Sequence, residues 1–231
     1  MRQFLRKGPP TVELSIVIAV AFGLPIVTSV IAFVGHTVAP AVTVVVDANS
    51  WLWSLLIYEL PVTAVLFLFL KIRGWTLVGI GLRPALLDPF IGIGLAIVCY
   101  VAFYVSFVGV WLAVAFTRGH PMSMAQHFVP HGAFLAPAIA VSLVNAIYEE
   151  VFVCGYIVSA MERARWRSWT AINVSVAVRV TYHLYQGIIG VVTIVPIGLV
   201  FALWYWRSRR LWPAIVAHGV IEFIAFAWAY R

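Results

Sequence analysis

The ionisable side chains that lie inside apolar segments are the first candidates for chemistry in this sequence. Six of them occur in its second half: Glu149, Glu150, Arg179, His183, His218 and Glu222. A charged group within membrane hydrocarbon is costly, so such residues generally pair with one another and serve a function. Arg179 precedes His183 by four residues and His218 precedes Glu222 by four, so each pair shares one face of a helix. We therefore expect three helices to direct these side chains into one interior site.

Two hydrolytic mechanisms fit this set of groups. In the first, one glutamate is the general base for a water molecule, while His218 and a neighbour donate hydrogen bonds to the developing oxyanion. In the second, the same water is bound to one divalent metal ion, most simply zinc, held by Glu149, His183, His218 and Glu222. The three glutamates and the arginine leave two negative charges that such an ion would neutralise. Both mechanisms hydrolyse an amide bond in or near a membrane, and the residues alone do not choose between them.

The composition shows what kind of scaffold must position these groups. Of 231 residues, 64% are hydrophobic and 10% are charged, and the mean hydropathy is +1.03. A soluble domain is nearer one quarter charged, so a soluble globular protein is excluded. Apolar runs long enough to cross about 30 Å of hydrocarbon predict seven spans, at 12–35, 51–70, 88–117, 133–161, 168–187, 188–206 and 211–230. We expect an all-α, polytopic transmembrane bundle that forms a single domain over residues 1–231, with the motifs in 133–231.

The basic residues predict the orientation of this bundle. Alternating spans place four clusters on one side: Arg2, Arg6 and Lys7; Lys71, Arg73 and Arg83; Arg163, Arg165 and Arg167; and Arg207, Arg209 and Arg210. Cytoplasmic loops of membrane proteins are enriched in Lys and Arg, which indicates a cytoplasmic N-terminus and a multi-pass protein of the plasma membrane. Because the net charge of +7 follows these loops, we expect the lipid bilayer as a partner and not nucleic acid.

Three motifs in the second half resemble the CPBP family of intramembrane proteases, which includes the CAAX prenyl endoprotease type and bacteriocin-processing relatives. The family signature is Glu-Glu-x-x-x-Arg, then Phe-x-x-x-His, then His-x-x-x-Asn/Asp. Glu149-Glu150, His183 and His218 match it in order and spacing. The resemblance implies a helical membrane core, usually of eight spans, and a peptide or membrane-anchored protein as substrate. It also implies that Glu149 activates water with the help of His183, while His218 and residue 222 form the oxyanion side.

The chain departs from this signature at three positions. Cys154 replaces the motif arginine, Arg179 replaces the aromatic residue, and Glu222 replaces the final Asn/Asp. The first two changes compensate if Arg179 pairs with Glu150 and leaves Glu149 as the free base. A carboxylate accepts hydrogen bonds and donates one only when protonated, so Glu222 is either a metal ligand or a protonated donor, or it marks an inactive member.

Two other functions use the same residues. A proton-coupled transporter would employ the Glu, His and Arg groups as a relay, and a catalytically inactive scaffold or immunity protein would keep the fold without the reaction. Glu59 in the second span is a further candidate for a supporting role. The leading hypothesis is an intramembrane endopeptidase of metallo- or glutamate type.

Overall fold

In the part of the chain that the structure describes, seven long helices lie at the positions of the seven predicted spans. The computed structural model describes residues 10–38, 44–118, 128–131 and 134–229. Arg2, Arg6 and Lys7, the basic cluster predicted to be cytoplasmic, lie outside these residues. Within them the helices are α1 (Pro10–Val38), α2 (Ala48–Ile72), α3 (Asp88–Arg118), α4 (Leu135–Glu149) continued by a π-helix (Glu150–Val158) and α5 (Ser159–Arg163), α6 (Ser168–Tyr182), α7 (Gly187–Ser208) and α8 (Trp212–Ala229).

Five of these helical segments are long and apolar enough to cross a membrane: Pro10–Gly35, Ala48–Ile72, Asp88–Thr117, Leu135–Arg163 and Leu184–Ser208. The other two are shorter. Helix α6 has 15 residues, or about 22 Å at 1.5 Å per residue. The polytopic helical architecture is therefore confirmed, whereas the predicted fifth span ends at Tyr182, before the full thickness of the hydrocarbon.

The segment Leu135–Arg163 is the centre of the bundle. In its most apolar window 67% of the residues are buried inside the protein, against 17–22% in the other four segments. All nine residues of the π-helix are buried. The outer helices instead keep large apolar side chains exposed, among them Leu24, Ile31, Ile57, Leu68 and Val105. Such extensive apolar surface is what a lipid-facing protein presents.

A small parallel sheet is the one described element outside the predicted all-helical scheme. Strand β1 (Val44–Asp47) pairs with β2 (Phe128–His131). The all-helical prediction contains no strand, although β-branched residues favour one and this valine run is too short to span a membrane. The side chain of Asp47 accepts a hydrogen bond from the Ser50 N–H at 2.8 Å and so caps α2. The Phe134 N–H donates to Asn49 Oδ1 at 2.7 Å, which ties the start of α4 to that of α2.

A buried polar network near the C-terminal end of the π-helix holds α1 against this helix. Glu13 of α1 pairs with Arg73, and its Oε1 accepts hydrogen bonds from Trp75 Nε1 at 2.7 Å and from Tyr156 Oη at 3.0 Å. Tyr156 belongs to the π-helix, so this network holds the central segment and the first helix in register. Glu13 is therefore satisfied as a structural group.

Candidate active site

The two adjacent glutamates lie where the central helix changes its geometry. Helix α4 ends at Glu149 and the π-helix begins at Glu150. π-Helices are rare and occur frequently at functional sites. Close packing accompanies this one: a Cβ on Gly155 would lie 2.9 Å from the Ile80 carbonyl oxygen and 2.7 Å from Leu211 Cδ1. The central helix thus presents both carboxylates from a widened turn held in the core.

Arg179 of α6 binds both carboxylates. Its Nη1 lies 3.0 Å from Glu149 Oε2 and its Nη2 lies 2.6 Å from Glu150 Oε1. The predicted pairing with Glu150 is therefore present, but the expectation that Glu149 has no cationic partner is wrong. The physical reason is that guanidinium has two terminal nitrogens and consecutive residues on the helix are both within their reach. Gly198 of α7 leaves room for the arginine, since a Cβ there would lie 3.3 Å from Arg179 Cδ.

His218 of α8 completes the pairing of Glu150. His218 Nδ1 lies 2.8 Å from Glu150 Oε1, and because an ionised carboxylate only accepts, Nδ1 carries the proton. A carboxylate that holds one ring nitrogen fixes the tautomer and orientation of the ring. The second ring nitrogen of His218, Nε2, lies on the far side of the ring from Glu150 and is 3.9 Å from Glu149 Oε2. The ring also stacks on Phe201, with centroids 5.8 Å apart.

The two carboxylate oxygens of Glu149 differ in their hydrogen bonds. Its Oε2 accepts from Arg179 and also from Tyr182 Oη, at 2.6 Å. In the described parts of the chain, no group donates to Oε1. Tyr182 is stacked on Phe22 of α1, with centroids 4.9 Å apart, so the donor is held in place. No role for Tyr182 follows from the sequence alone, because a tyrosine in an apolar run looks like ordinary core.

His183 lies at the end of α6, where the chain turns towards α7. Its Nδ1 lies 2.9 Å from the carbonyl oxygen of Arg179, so Nδ1 is the donor and Nε2 of the neutral ring is an acceptor.

The predicted break near residue 187 is confirmed: a 3₁₀ turn spans Leu184–Gln186, and α7 begins at Gly187, which has a φ of 73°. A positive φ of this kind favours glycine.

Glu222 meets a residue that the sequence analysis did not single out. Asn145 Nδ2 donates to Glu222 Oε1 at 2.7 Å, and Glu222 Oε2 is buried with no hydrogen-bond partner among the described groups. Asn145 precedes Glu149 by four residues on α4, so an i, i+4 search from the glutamates would have found it. Asn145 thus supplies an amide from the facing helix next to position 222, where the motif has Asn or Asp.

One cavity of about 1160 Å³ joins these groups. Its wall is mainly apolar and aromatic, and Glu149, Arg179, His183, His218 and Glu222 all line it, as do Asn145 and Tyr182. Glu150 is fully buried behind them. The expectation that three helices direct their ionisable groups into a common interior site is borne out by this arrangement.

The donor atoms suit a divalent metal by type. Glu149, Glu150 and His218 each offer one atom within 4.8 Å of the others, and Glu150 Oε2 is a buried acceptor without a partner in the described structure. This group differs from the predicted set, because it includes Glu150 in place of His183 and Glu222. The Arg179 guanidinium already contacts an oxygen of each glutamate, so a metal would share the carboxylates with a cation of the protein.

Comparisons with known proteins agree with this arrangement. Residues 131–224 match the family model described as Rce1-like, type II CAAX prenyl endopeptidase. The match covers less than half of the chain, but it contains the six ionisable residues of the site together with Asn145 and Tyr182. No curated protein and no solved structure matches the chain significantly.

Proposed function

The Rce1-like match over residues 131–224 supports assigning the chain to the CPBP/CAAX protease family, and from this premise we propose that it is an intramembrane endopeptidase in which Glu149 activates the hydrolytic water. The observation that carries the proposal is the position of Glu149: it lines the cavity, and its Oε1 accepts no hydrogen bond from the described residues while Oε2 is held by Arg179 and Tyr182. A fixed carboxylate with one free oxygen is what a general base requires.

Water is activated between two acceptors. The water donates one hydrogen to Glu149 Oε1 and the other to His183 Nε2, which is left free by the bond from Nδ1 to the Arg179 carbonyl. As its oxygen attacks the carbonyl carbon of the scissile peptide bond, Glu149 takes the proton. The carbonyl becomes a tetrahedral oxyanion. Glu149 then returns the proton to the leaving amine nitrogen, so that the C–N bond breaks and the enzyme regains its starting state.

Two donors stabilise the oxyanion. His218 donates from Nε2 as an imidazolium whose other N–H is held by Glu150. Glu222 donates from Oε2 as a neutral carboxylic acid, since Asn145 already donates to its Oε1. Removing one such donor typically costs about 10²–10³ in kcat. In this state the charges of Glu149 and Glu150 are balanced by Arg179 and the imidazolium.

The same charge balance favours a glutamate-type enzyme. When bound, a divalent ion on Glu149, Glu150 and His218 would lower the pKa of its water to about 7. Arg179 already supplies a fixed positive charge to both carboxylates, so Glu149 can remain ionised without the ion. We assign the role of counter-cation to Arg179.

The substrate is a peptide or a membrane-anchored protein. The cavity lies among membrane-spanning helices, and its wall is mainly apolar, which suits a chain segment that arrives through the bilayer. A plasma-membrane location and a cytoplasmic N-terminus belong to this proposal, since the basic clusters at 71–83, 163–167 and 207–210 suit the cytoplasmic side.

The test compares the peptide termini in membranes that contain either the wild-type protein or Glu149→Gln at equal levels. Wild-type protein should generate termini that are absent with Glu149→Gln. Glu162→Gln is the matched control, because it makes the same chemical change at an acid that pairs with Arg209 outside the cavity. Identical terminus profiles for wild type and Glu149→Gln would overturn the endopeptidase proposal.

A further inference from the structure

Glu59 of α2 is a buried carboxylate that the proposed reaction does not use. It is 3% exposed, it lines the same cavity as Glu149 and Glu222, and its Oε2 is buried without a hydrogen-bond partner among the described groups. In the parts of the chain that the structure describes, no lysine, arginine or histidine forms an ion pair with it.

This lack of a cation sets Glu59 apart from four other buried acids among the described residues. Glu222 also has no ion pair there, but its Oε1 accepts a hydrogen bond from Asn145 Nδ2. Glu13 pairs with Arg73, Asp88 pairs with Arg210, and Glu149 and Glu150 share Arg179. A buried charge without a partner is strongly destabilising. The fold therefore provides a counter-charge for these acids and leaves Glu59 open on a cavity wall, where a partner can enter from outside.

The surroundings of Glu59 indicate which kind of partner fits. Glu149 and Glu222 line the same cavity as Glu59. Arg179 also lines this cavity, but its guanidinium pairs with Glu149 and Glu150. The remaining wall near Glu59 includes Leu55 and Tyr58. A lysine or arginine side chain combines a long apolar stem with a charged end, and so complements an apolar wall that ends in a carboxylate.

We infer that Glu59 is a specificity subsite that binds the basic side chain of a peptide substrate. The inference rests on the proposed endopeptidase function and adds to it a class of substrate: a peptide with Lys or Arg close to the scissile bond. Glu59 is a binding residue in this scheme and takes no part in proton transfer.

The experiment measures binding, so that it does not depend on cleavage. Purified full-length protein in lipid nanodiscs is titrated with apolar peptides that carry a single lysine, moved along the sequence, and with matched peptides that carry norleucine, its uncharged counterpart. At one position lysine should bind about 30-fold more tightly, the lower range for one partner of a buried charge pair. Glu59→Gln should reduce that ratio to about threefold or less, and the control Glu162→Gln should leave it unchanged.

Two results would overturn the subsite: wild-type protein that shows no lysine preference at any position, or a preference that persists in Glu59→Gln. The first needs no variant, so it is informative even if Glu59→Gln folds poorly. Failure of the proposed function appears differently, as unchanged peptide termini in the Glu149→Gln comparison while the binding preference is retained.

Discussion

Arg179 Nη2 lies 3.9 Å from the sulfur of Cys154. The guanidinium of α6 thus lies beside the position at which the family motif carries its own arginine, on the π-helix. The cation is supplied here by α6, and it reaches both glutamates. We therefore expect the two departures from the motif, at positions 154 and 179, to compensate each other.

Replacing Arg179 by leucine should abolish cleavage and destabilise the protein. Two buried carboxylates would lose their cation, and removing one partner of a buried ion pair costs about 3–5 kcal/mol. Thermal unfolding in detergent and cleavage in vesicles measure the two effects. Arg209→Leu is the matched control, because the Arg209 side chain that pairs with Glu162 is 47% exposed and surface pairs contribute about 0–1 kcal/mol. An Arg179→Leu protein with normal stability and cleavage would refute the counter-cation role.

The double variant Cys154→Arg, Arg179→Phe should recover much of the stability and cleavage activity that Arg179→Leu loses. It restores the arginine and the aromatic residue of the family motif at their usual positions. Cys154→Arg and Arg179→Phe alone should each be less stable than the double variant. A double-mutant cycle of the free energy of unfolding should then give a coupling of about 0.5–3 kcal/mol. Additive effects of the two substitutions would show that the positions are independent.

The sequence was sufficient to predict the helices and the grouping of the ionisable side chains. Apolar runs and their interruptions predicted the seven helices of the described residues, and the spacing of four residues predicted that His218 and Glu222 share one helix face. Both signals are local, so they can be read without the fold.

Other features depend on tertiary contacts and were missed for that reason. No pattern of residue types in the sequence marks the π-helix at Glu150–Val158. It occurs where Gly155 packs closely against Ile80 and Leu211, which are distant in the sequence. Tyr182 and Asn145 gain their roles only from the acids that face them, Glu149 and Glu222. Neutral polar residues in an apolar run are common, so neither could be distinguished before the helices were assembled.

Position 222 should accept an amide but not an apolar group. Glu222→Asn restores the family residue and supplies an N–H donor, so cleavage should stay within about tenfold of wild type, whereas Glu222→Leu should lose about 10²–10³ in kcat, as for an oxyanion donor. The measurement is single-turnover cleavage at saturating substrate, which separates chemistry from binding. If Glu222→Leu cleaves at the wild-type rate, Glu222 does not stabilise the oxyanion.

Chelation should leave the enzyme active. Because Arg179 provides the positive charge beside Glu149 and Glu150, we expect more than about half of the cleavage rate to survive prolonged dialysis against a chelator. Elemental analysis of the same sample checks that metal has been removed, since structural or catalytic metal can be held tightly. Loss of cleavage on chelation, with recovery on adding zinc, would assign the reaction to a metal-bound water.

Gly155→Ala should disturb the π-helix and with it the presentation of the two glutamates. The new Cβ would lie 2.9 Å from the Ile80 carbonyl oxygen, and backbone cannot move aside as easily as the end of a side chain. Overpacking of this kind costs about 1–3 kcal/mol. Gly94→Ala is the control: a Cβ on Gly94 meets nothing within 4 Å, and alanine in place of a helical glycine favours the helix by about 1 kcal/mol. The thermal unfolding temperature and the cleavage rate should both fall for Gly155→Ala and not for Gly94→Ala. Equal behaviour of the two variants would show that the packing of Gly155 does not control the site.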